Sequence, residues 1–336
     1  MSYELATIIS RKEWDSFFLD HGQYAFFQSW LWGQLQERLG FQVWRYGIYE
    51  GKTLRGIALV VKVVARRGSF LQIRHGPIFD TQGKEQWKWF LTEIKALAKS
   101  QNVWFIRLNP LIENSIDNRT FYYSLGLKPA AIHAMDAEYT WVLPLEKSQE
   151  ELLSGMRKTT RYEIRRAINA GVTIEKTTDP AQLKLFFCLY DETMKRQDFV
   201  PNRGIAEEFD VFAKEGKALL LLGSYQGKIS AAAIVLFDSN QAIYHYGASI
   251  PSDVGVSYLV QWEAICEAKK RGILQYNFWG IAPQDNPRHP WRGITLFKTG
   301  FGGSVHEYIH AHDLPISPQY IIPRFIETWR RWRKGY

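Results

Sequence analysis

The chain has 336 residues, which is enough for two domains of ordinary size, each with its own core. Hydrophobic residues make up 46% and charged residues 23%, a balance typical of folded soluble proteins. No signal peptide and no stretch of about 18 uncharged apolar residues are visible, so the sequence predicts a cytoplasmic protein for which any membrane contact is peripheral. The net charge of +8 favours polyanionic partners, namely nucleic acid, a nucleotide diphosphate or an acidic membrane face, without choosing among them.

The two halves of the chain follow the same order of predicted elements. A tight-turn motif separates two β-rich runs in each half, YEGK at 49–52 and YQGK at 225–228. A third strand, a helix with apolar residues at a 3.6-residue period and a further strand follow in both halves. In the first half the predicted strands are 43–49, 54–63, 69–78 and 103–108, with the helix at 84–100. In the second half they are 218–225, 229–237, 241–250 and 274–278, with the helix at 256–271.

This order predicts an α/β (α+β) fold with mixed sheets. It resembles the acetyltransferase (GNAT) fold used twice, and that resemblance implies a V-shaped cleft where the third and last strands of each half separate. The run at 135–143 is expected to be the closing strand of the first domain. We therefore expect a first GNAT-like domain at 1–145 and a second at 146–336, the latter with a basic C-terminal helix.

The loop before the second repeat helix departs from the coenzyme A pattern. Acetyl-CoA enzymes of this fold hold the pyrophosphate at a helix N-terminus that follows a Gln/Arg-x-x-Gly-x-Gly/Ala loop. Here residues 252–257 read SDVGVS, so the first position and the second glycine are serines and Asp253 adds a negative charge. The matching residues of the first half, DTQGK at 80–84, depart further. An acyl donor other than coenzyme A is predicted.

Six segments carry a resemblance to one known family. They are FQSWLWG at 27–33, HGP at 75–77, IRLNP at 106–110, RKTTR at 157–161, YHYGAS at 244–249 and LFKTGFGG at 296–303. In this order and spacing the chain resembles the Fem family of aminoacyl-tRNA-dependent peptidoglycan-bridge peptidyltransferases. The resemblance implies transfer of an aminoacyl group from charged tRNA to the side-chain amine of the third stem-peptide residue. The implied acceptor is lipid II or UDP-MurNAc-pentapeptide, and the short segment 204–217 is similar to the form without a helical arm.

The resemblance implies two catalytic candidates. Lys298 matches a family lysine implicated in activity, as the charge at the donor phosphate or at the developing oxyanion, and the alternative is a solvated surface lysine. Asn109 lies at the end of a strand, where the family often has an acidic residue. Because asparagine cannot act as a base, either this site only positions substrate or solvent and substrate take the proton.

Five residues are candidates for binding the substrate. Arg203 matches an arginine that grips the precursor diphosphate, although an exposed loop arginine is an equal alternative. Gln34 takes the place of a family lysine that contacts the same diphosphate. Tyr246 matches a tyrosine at the second cleft, and its alternative is a core aromatic with a satisfied hydroxyl. Phe297 precedes the candidate lysine, and His289 lies in a loop before it.

Two basic segments are candidates for polyanion binding. Lys158, Arg161 and Arg165 share one face of a predicted helix and suit the phosphates of tRNA. The tail at 324–336 alternates tryptophans with basic residues, which suits anionic lipid at the inner membrane face. A plain solvated helix is the alternative for both.

No cofactor and no metal site are expected, and we expect a monomer. His306, His310 and His312 share one face of a predicted strand, but no further ligand motif lies nearby. Two other functions stay open at this point. One is an acyl-CoA-dependent N-acyltransferase, and the other is a non-catalytic protein that binds RNA or a membrane.

Overall fold

A computed structural model describes residues 3–66, 68–81, 83–132, 136–197, 202–283 and 289–334. The chain begins with β1 (Tyr3–Thr7), α1 (Arg11–His21), α2 (Trp30–Arg38), β2 (Gln42–Glu50), β3 (Thr53–Ala65), β4 (Gly68–Arg74), β5 (Ile78–Phe79), α3 (Lys84–Ser100), β6 (Phe105–Asn109), α4 (Ile116–Ser124) and β7 (Lys128–Pro129). It continues with β8 (Tyr139–Pro144), α5 (Gln149–Gly155), α6 (Lys158–Asn169), β9 (Thr173–Thr177), α7 (Leu183–Gln197), α8 (Ile205–Ala213), β10 (Ala218–Tyr225), β11 (Lys228–Asp238) and β12 (Gln241–Ser249). It ends with α9 (Val256–Lys270), β13 (Gln275–Gly280), α10 (Arg292–Thr299), β14 (Ser304–Glu307), β15 (His312–Pro315) and α11 (Ile321–Lys334).

The repeat predicted from the sequence is present in both halves. Strands β2 and β3 meet at a turn in which Gly51 has φ of 60°, and β10 and β11 meet at a turn in which Gln226 and Gly227 have φ of 50° and 76°. Positive φ at these positions matches the right-handed twist of the paired strands, which is why glycine recurs there. The predicted repeat helices are α3 and α9, with the expected bounds to within one residue.

The strands form two mixed sheets. The first has the order β1-β2-β3-β4-β6-β15-β7, with β5 paired to β3, and the second has the order β14-β8-β13-β12-β11-β10-β9. One parallel pair occurs at the centre of each, β4 with β6 and β12 with β13. Because a parallel pair needs a crossover, α3 and α9 connect these strands and pack against their sheets.

The two parallel pairs differ at the point where a cleft was predicted. Strands β12 and β13 pair only from Gln241 opposite Gln275 to Ile243 opposite Asn277, and then separate. Strands β4 and β6 remain paired through Arg74 opposite Asn109. The V-shaped opening is therefore found between β12 and β13, whereas in the first half the strands are joined along the whole of β6.

The chain divides into two compact units in a way that differs from the predicted domains. One unit comprises Met1–Glu138 with Glu307–Tyr336, and the other comprises Tyr139–His306. The strand predicted to close the first domain instead pairs, as β8, with β13 of the second sheet. Of that predicted strand, Met135 lies outside the described residues.

The C-terminal helix belongs to the first unit because a buried ion network holds it there. Arg107 donates to Asp313 at 2.7 and 2.9 Å and to Glu327 of α11 at 2.8 and 3.1 Å. The Tyr320 hydroxyl also donates to Asp313, at 2.9 Å. Charges this deeply buried stay charged only with such partners. The sequence predicted this helix in the second domain, whereas its contacts group it with the first unit.

Both units have apolar cores on the face covered by the repeat helix. Trp87, Phe90, Leu91 and Ile94 of α3 are buried in the first core. In the second, the buried face of α9 includes Leu259, Trp262 and Ile265. Within the described residues, no helix combines the length and the apolar character needed to cross a bilayer.

Candidate functional site

Lys298 lies in α10 of the second unit and is buried, with 8% of its surface exposed. Its Nζ atom donates to the carbonyl oxygen of Gly280 at 2.6 Å and lies 5.9 Å from the centroid of the Tyr244 ring. Burial lowers the pKa of this amine to about 7, because desolvation disfavours the charged form. The alternative of a solvated surface lysine therefore does not describe it. Its place at the end of β13 and beside β12 puts it where these strands separate.

The RKTTR and LFKTGFGG motifs act together to hold α10. Arg157 donates to the Leu296 carbonyl at 2.9 Å and to the Thr299 hydroxyl at 3.1 Å. Its backbone N–H donates to the carbonyl of Gly300 at 2.9 Å. A Cβ atom at Gly300 would collide with the hydroxyl of Thr160, so glycine is what permits the close approach of α6. Arg157 and Thr160 thus set the position of Lys298 through α10. The two motifs are 139 positions apart at the Arg157–Leu296 bond, so no local pattern shows that they meet.

A second polar cluster joins β12 to α8. The Tyr246 hydroxyl donates to Glu208 at 2.6 Å, and Nδ1 of His245 lies 3.0 Å from the other carboxylate oxygen. The pairing of β11 with β12 shifts register between Ile234 and Val235, which lets His245 and Tyr246 stack with ring centroids 4.6 Å apart. A bulge of this kind redirects side chains.

The hydroxyl of Tyr246 therefore has a hydrogen-bond partner within the protein, as the alternative to a substrate-binding role predicted. Contact between Tyr246 and substrate stays a prediction. Glu208 was missed in the sequence. The signal that was present is its place on the apolar stripe of α8, three residues after Ile205 and four before Phe212, where a charged residue is rarely fully buried without a partner.

The remaining substrate-binding candidates of the second unit lie at helix ends. Arg203 is exposed and precedes Gly204, which starts α8 with φ of 84°. Nδ1 of His289 accepts from the backbone N–H of Trp291 at 3.1 Å, next to the start of α10. Phe297 packs against Tyr258 and Phe301, with centroids 4.9 and 5.3 Å apart, which anchors α10 to the core. Pro201 and residues 284–288 lie outside the described residues.

The predicted tRNA face is only partly exposed. Lys158 and Arg165 are exposed on α6. Arg161 is half-buried and donates to the carbonyl of Ser154 at 2.8 Å and to that of Met156. Its guanidinium caps the C-terminal end of α5, so the three residues do not form the uniform solvated face that the helical spacing suggested.

Glu163 lies against the glycine that precedes α9, at the helix end where coenzyme A enzymes hold the pyrophosphate. Gly255 precedes α9, and a Cβ atom there would lie 2.7 Å from the backbone oxygen and 2.9 Å from a carboxylate oxygen of Glu163. Helix α6 therefore packs directly on the N-terminus of α9. Glu163 thus fills the space next to Gly255, and its carboxylate lies 3.6 Å from the Arg166 guanidinium. In the matching loop of the first unit, Gln82 lies outside the described residues.

In the first unit, Asn109 ends β6 with its side chain 4% exposed, and both of its amide atoms have no hydrogen-bond partner among the described residues. Its backbone carbonyl accepts from the N–H of His75 at 2.6 Å. Burial lowers the pKa of His75 to about 4, so this ring is neutral. A buried amide without a partner costs about 1–3 kcal/mol, which a bound polar group would relieve.

The FQSW motif has a structural task that sequence reasoning missed. The buried Gln28 amide donates to the Arg74 carbonyl at 2.6 Å and accepts from the N–H of Leu59 at 2.7 Å. A Cβ atom at Gly76 would approach this amide within 2.5 Å, which explains the glycine of the HGP turn. Gln34, in contrast, is exposed on α2 and available to a ligand.

The three histidines near the C-terminus do not share a strand. His306 lies in β14 and His312 in β15, with His310 between them. Nδ1 of His310 lies 2.8 Å from one carboxylate oxygen of Glu138, and the other oxygen accepts from the N–H of Ala311 at 3.1 Å. The segment between β14 and β15 is therefore not a regular strand. Among the described residues, no group of three or more potential ligands is placed to hold a metal ion.

The sequence matches one protein-family model over nearly its whole length. The FemAB family model matches residues 9–204 and 207–328. The lipid II:glycine glycyltransferase of Staphylococcus aureus is 25% identical over 239 residues, which cover 67% of this chain and 56% of that protein. The chain thus spans little more than half the length of the curated relatives that it matches.

Two solved structures establish the architecture. FemX superposes with a TM-score of 0.83 at 19% identity, over 97% of this chain and 100% of its own. A tandem GNAT protein from the clavulanic acid biosynthesis pathway gives 0.60 at 10% identity, over 94% and 99%. These likenesses confirm the predicted fold of two tandem GNAT-like domains. Since the family model covers nearly all of the sequence, the chain belongs to the FemAB family.

Proposed function

We propose that the chain transfers an aminoacyl group from an aminoacyl-tRNA to the side-chain amine of a peptidoglycan precursor stem peptide. Membership of the FemAB family supports this class of reaction, and the relative named for glycine transfer to lipid II supports lipid II as the acceptor. UDP-MurNAc-pentapeptide carries the same peptide and is the second acceptor form. The chain acts as a monomer in the cytoplasm.

One observation carries the choice of donor. Glu163 packs against Gly255, directly before α9, where an acyl-CoA enzyme needs open access to the backbone N–H groups for the pyrophosphate. A blocked helix end would leave the second unit without a coenzyme A anchor. An aminoacyl ester needs no such anchor, because tRNA is held by its phosphates elsewhere.

The chemistry asks for alignment, proton transfer and charge stabilisation. The acceptor nitrogen attacks the ester carbonyl carbon, the new N–C bond forms, and the C–O bond to the ribose breaks. We assign the proton to Lys298: its neutral form takes the proton from the attacking amine and returns it to the departing ribose oxygen. A pKa near 7 suits both steps. Asn109 then acts by positioning a polar group of the acceptor.

The other candidates are assigned to binding. Arg203 and Gln34 are exposed and suit the precursor diphosphate, as a guanidinium fork and an amide donor. We also assign contacts with the substrate to Tyr246, which lies on β12, and to Phe297 and His289, which are close to Lys298 in the sequence. Lys158 and Arg165 contact tRNA phosphates, and Arg161 shapes the same surface by capping α5.

The test supplies purified protein with charged tRNAs and with either lipid II or UDP-MurNAc-pentapeptide. Mass spectrometry should show one acceptor gaining the mass of one aminoacyl residue. Uncharged tRNA with free amino acids is the first control, and acetyl-CoA without tRNA is the second. A product formed only with acetyl-CoA, or no product with any charged tRNA, would contradict the proposal.

A further inference from the structure

Helix α11 of the first unit carries an apolar surface that faces solvent. Five large apolar side chains share this surface, and their exposed fractions are 70% for Ile321, 46% for Ile322, 71% for Phe325, 47% for Trp329 and 80% for Trp332. At 3.6 residues per turn these side chains span an arc of about 100°. We call them the apolar arc. A contiguous patch of this kind on a monomer marks an interaction surface.

The roll of α11 about its own axis is set by contacts on the opposite side. Pro323 is buried, and Glu327 accepts from the buried Arg107 guanidinium at 2.8 and 3.1 Å. Both residues lie roughly 160° from Phe325 around the helix. Because these contacts are ionic and buried, the helix cannot turn its apolar arc inward without breaking them.

Basic side chains flank the apolar arc and are excluded from it. Arg331 and Arg333 lie roughly 120° and 80° from Phe325, on opposite sides. The Arg333 guanidinium lies 4.8 Å from the centroid of the Trp329 ring. A groove of about 630 Å³ runs along the Arg331 side of the helix. Its lining residues are Pro129, Ala130, Ala131, Arg324, Thr328, Arg331 and Trp332.

We propose that α11 docks on an anionic lipid bilayer, with the apolar arc at the level of the head groups and first acyl carbons. Arg331 and Arg333 then contact lipid phosphates on either side, and the groove between Arg324 and Arg331 accommodates a head group. An apolar face with basic flanks is the pattern of helices that lie in a membrane interface. An RNA fits less well, since its phosphates need cations in the contact face, and the centre of this face is isoleucine, phenylalanine and tryptophan.

The docking depends on α11 alone. Its use, to bring the enzyme to a lipid-linked acceptor, rests on the proposed function. A binding experiment without any reaction therefore separates the two proposals: failure of transfer with charged tRNA leaves the vesicle result intact, and failure of vesicle binding leaves transfer to UDP-MurNAc-pentapeptide intact.

The experiment sediments the full chain with vesicles of phosphatidylcholine alone and of three parts phosphatidylcholine to one part phosphatidylglycerol. The wild type should bind the anionic vesicles, and less strongly as salt is raised. Phe325→Ser with Trp332→Ser should lower the partition coefficient at least tenfold. Arg331→Gln with Arg333→Gln should lower it about 30-fold on anionic vesicles, at about 1 kcal/mol for each basic residue near the surface.

Ile116→Ser is the matched control, because Ile116 is 73% exposed on α4 of the same unit, and it should bind like the wild type. All substituted side chains are exposed, and equal thermal midpoints check that the variants fold. Absence of wild-type binding to anionic vesicles at low salt would overturn the proposal. So would serine variants that bind as tightly as the wild type, or variants whose only change is a lost self-association or a lost affinity for tRNA.

Discussion

The amine of Lys298 donates a 2.6 Å hydrogen bond to the carbonyl oxygen of Gly280, and this bond joins the helix α10 to the last residue of β13. The carbonyl lies just beyond the point where β12 and β13 separate. A lysine in this place is fixed in position and stripped of water, and both properties suit a group that exchanges protons. The burial of this amine also affects the free energy of unfolding.

Replacement of Lys298 by methionine should stabilise the fold at neutral and acid pH. The folded pKa is about 7 and the ordinary value is 10.5, so the unfolded chain binds the extra proton between these pH values and stability rises with pH across that window. The cost of the buried charge is thus fully present below pH 7. Urea unfolding at pH 6 should show Lys298→Met more stable by a few kcal/mol, with the gain shrinking towards pH 10. If the wild type and Lys298→Met had equal urea midpoints at both pH 6 and pH 10, the amine would be solvated in the folded protein.

The same lysine should control the rate of transfer. Lys298→Ala should lower turnover by about 100-fold or more, the usual contribution of a positioned proton-transfer group. In the wild type the rate should rise with pH through about 7, as the amine loses its proton. Lys298→Arg keeps the charge but does not titrate, so its profile should lack this rise. A wild-type rate that falls above pH 7 would instead show that the protonated, charged form of the lysine is the active one.

Gly300→Ala should disturb the site from a distance. Its added methyl collides with the Thr160 hydroxyl and pushes α10 away from α6, which should cost about 1–3 kcal/mol and lower turnover. Thr160→Ala removes the colliding oxygen, so the double variant should recover part of both losses. Gly293→Ala, in the same helix with open space around it, is the control. Additive losses in the double variant would show that the contact is not the cause.

Arg107→Met should release the C-terminal segment. The change leaves the Asp313 carboxylate buried without its charged partner, and breaking a buried pair in this way costs about 3–5 kcal/mol. Limited proteolysis should then cut before α11, which loses its bond to Arg107. Lys88→Met, in the exposed pair with Glu85, should leave the thermal midpoint unchanged. An intact C-terminus in Arg107→Met would mean that the apolar contacts of β15 hold it.

Lys158→Ala with Arg165→Ala should weaken tRNA binding and flatten its salt dependence. Each lost phosphate contact lowers the slope of log affinity against log salt by about 0.7–0.9. Lys195→Ala with Lys214→Ala removes two exposed cations elsewhere in the same unit and should leave the slope unchanged. Arg161→Ala differs in kind, because its guanidinium caps α5, and it should lower stability as well. An unchanged slope in the first variant would place tRNA on another surface.

The repeat, with its helices and strands, and the family could be predicted from the amino-acid sequence. Turn chemistry at 49–52 and 225–228 and the apolar period of α3 and α9 are properties of neighbouring residues, so they can be seen without the fold. The departure of SDVGVS from the coenzyme A loop was equally local, although the charge that lies beside Gly255 is Glu163 of another helix.

Only the fold shows which unit each segment joins and which charges are buried. Arg107 and Asp313 are 206 positions apart, and no local pattern shows that they meet or that they carry α11 back to the first unit. Likewise, the spacing of Lys158, Arg161 and Arg165 could not show that one of the three caps another helix. The motif around Lys298 makes it a candidate, but its lowered pKa arises from desolvation by side chains that only the fold brings around it.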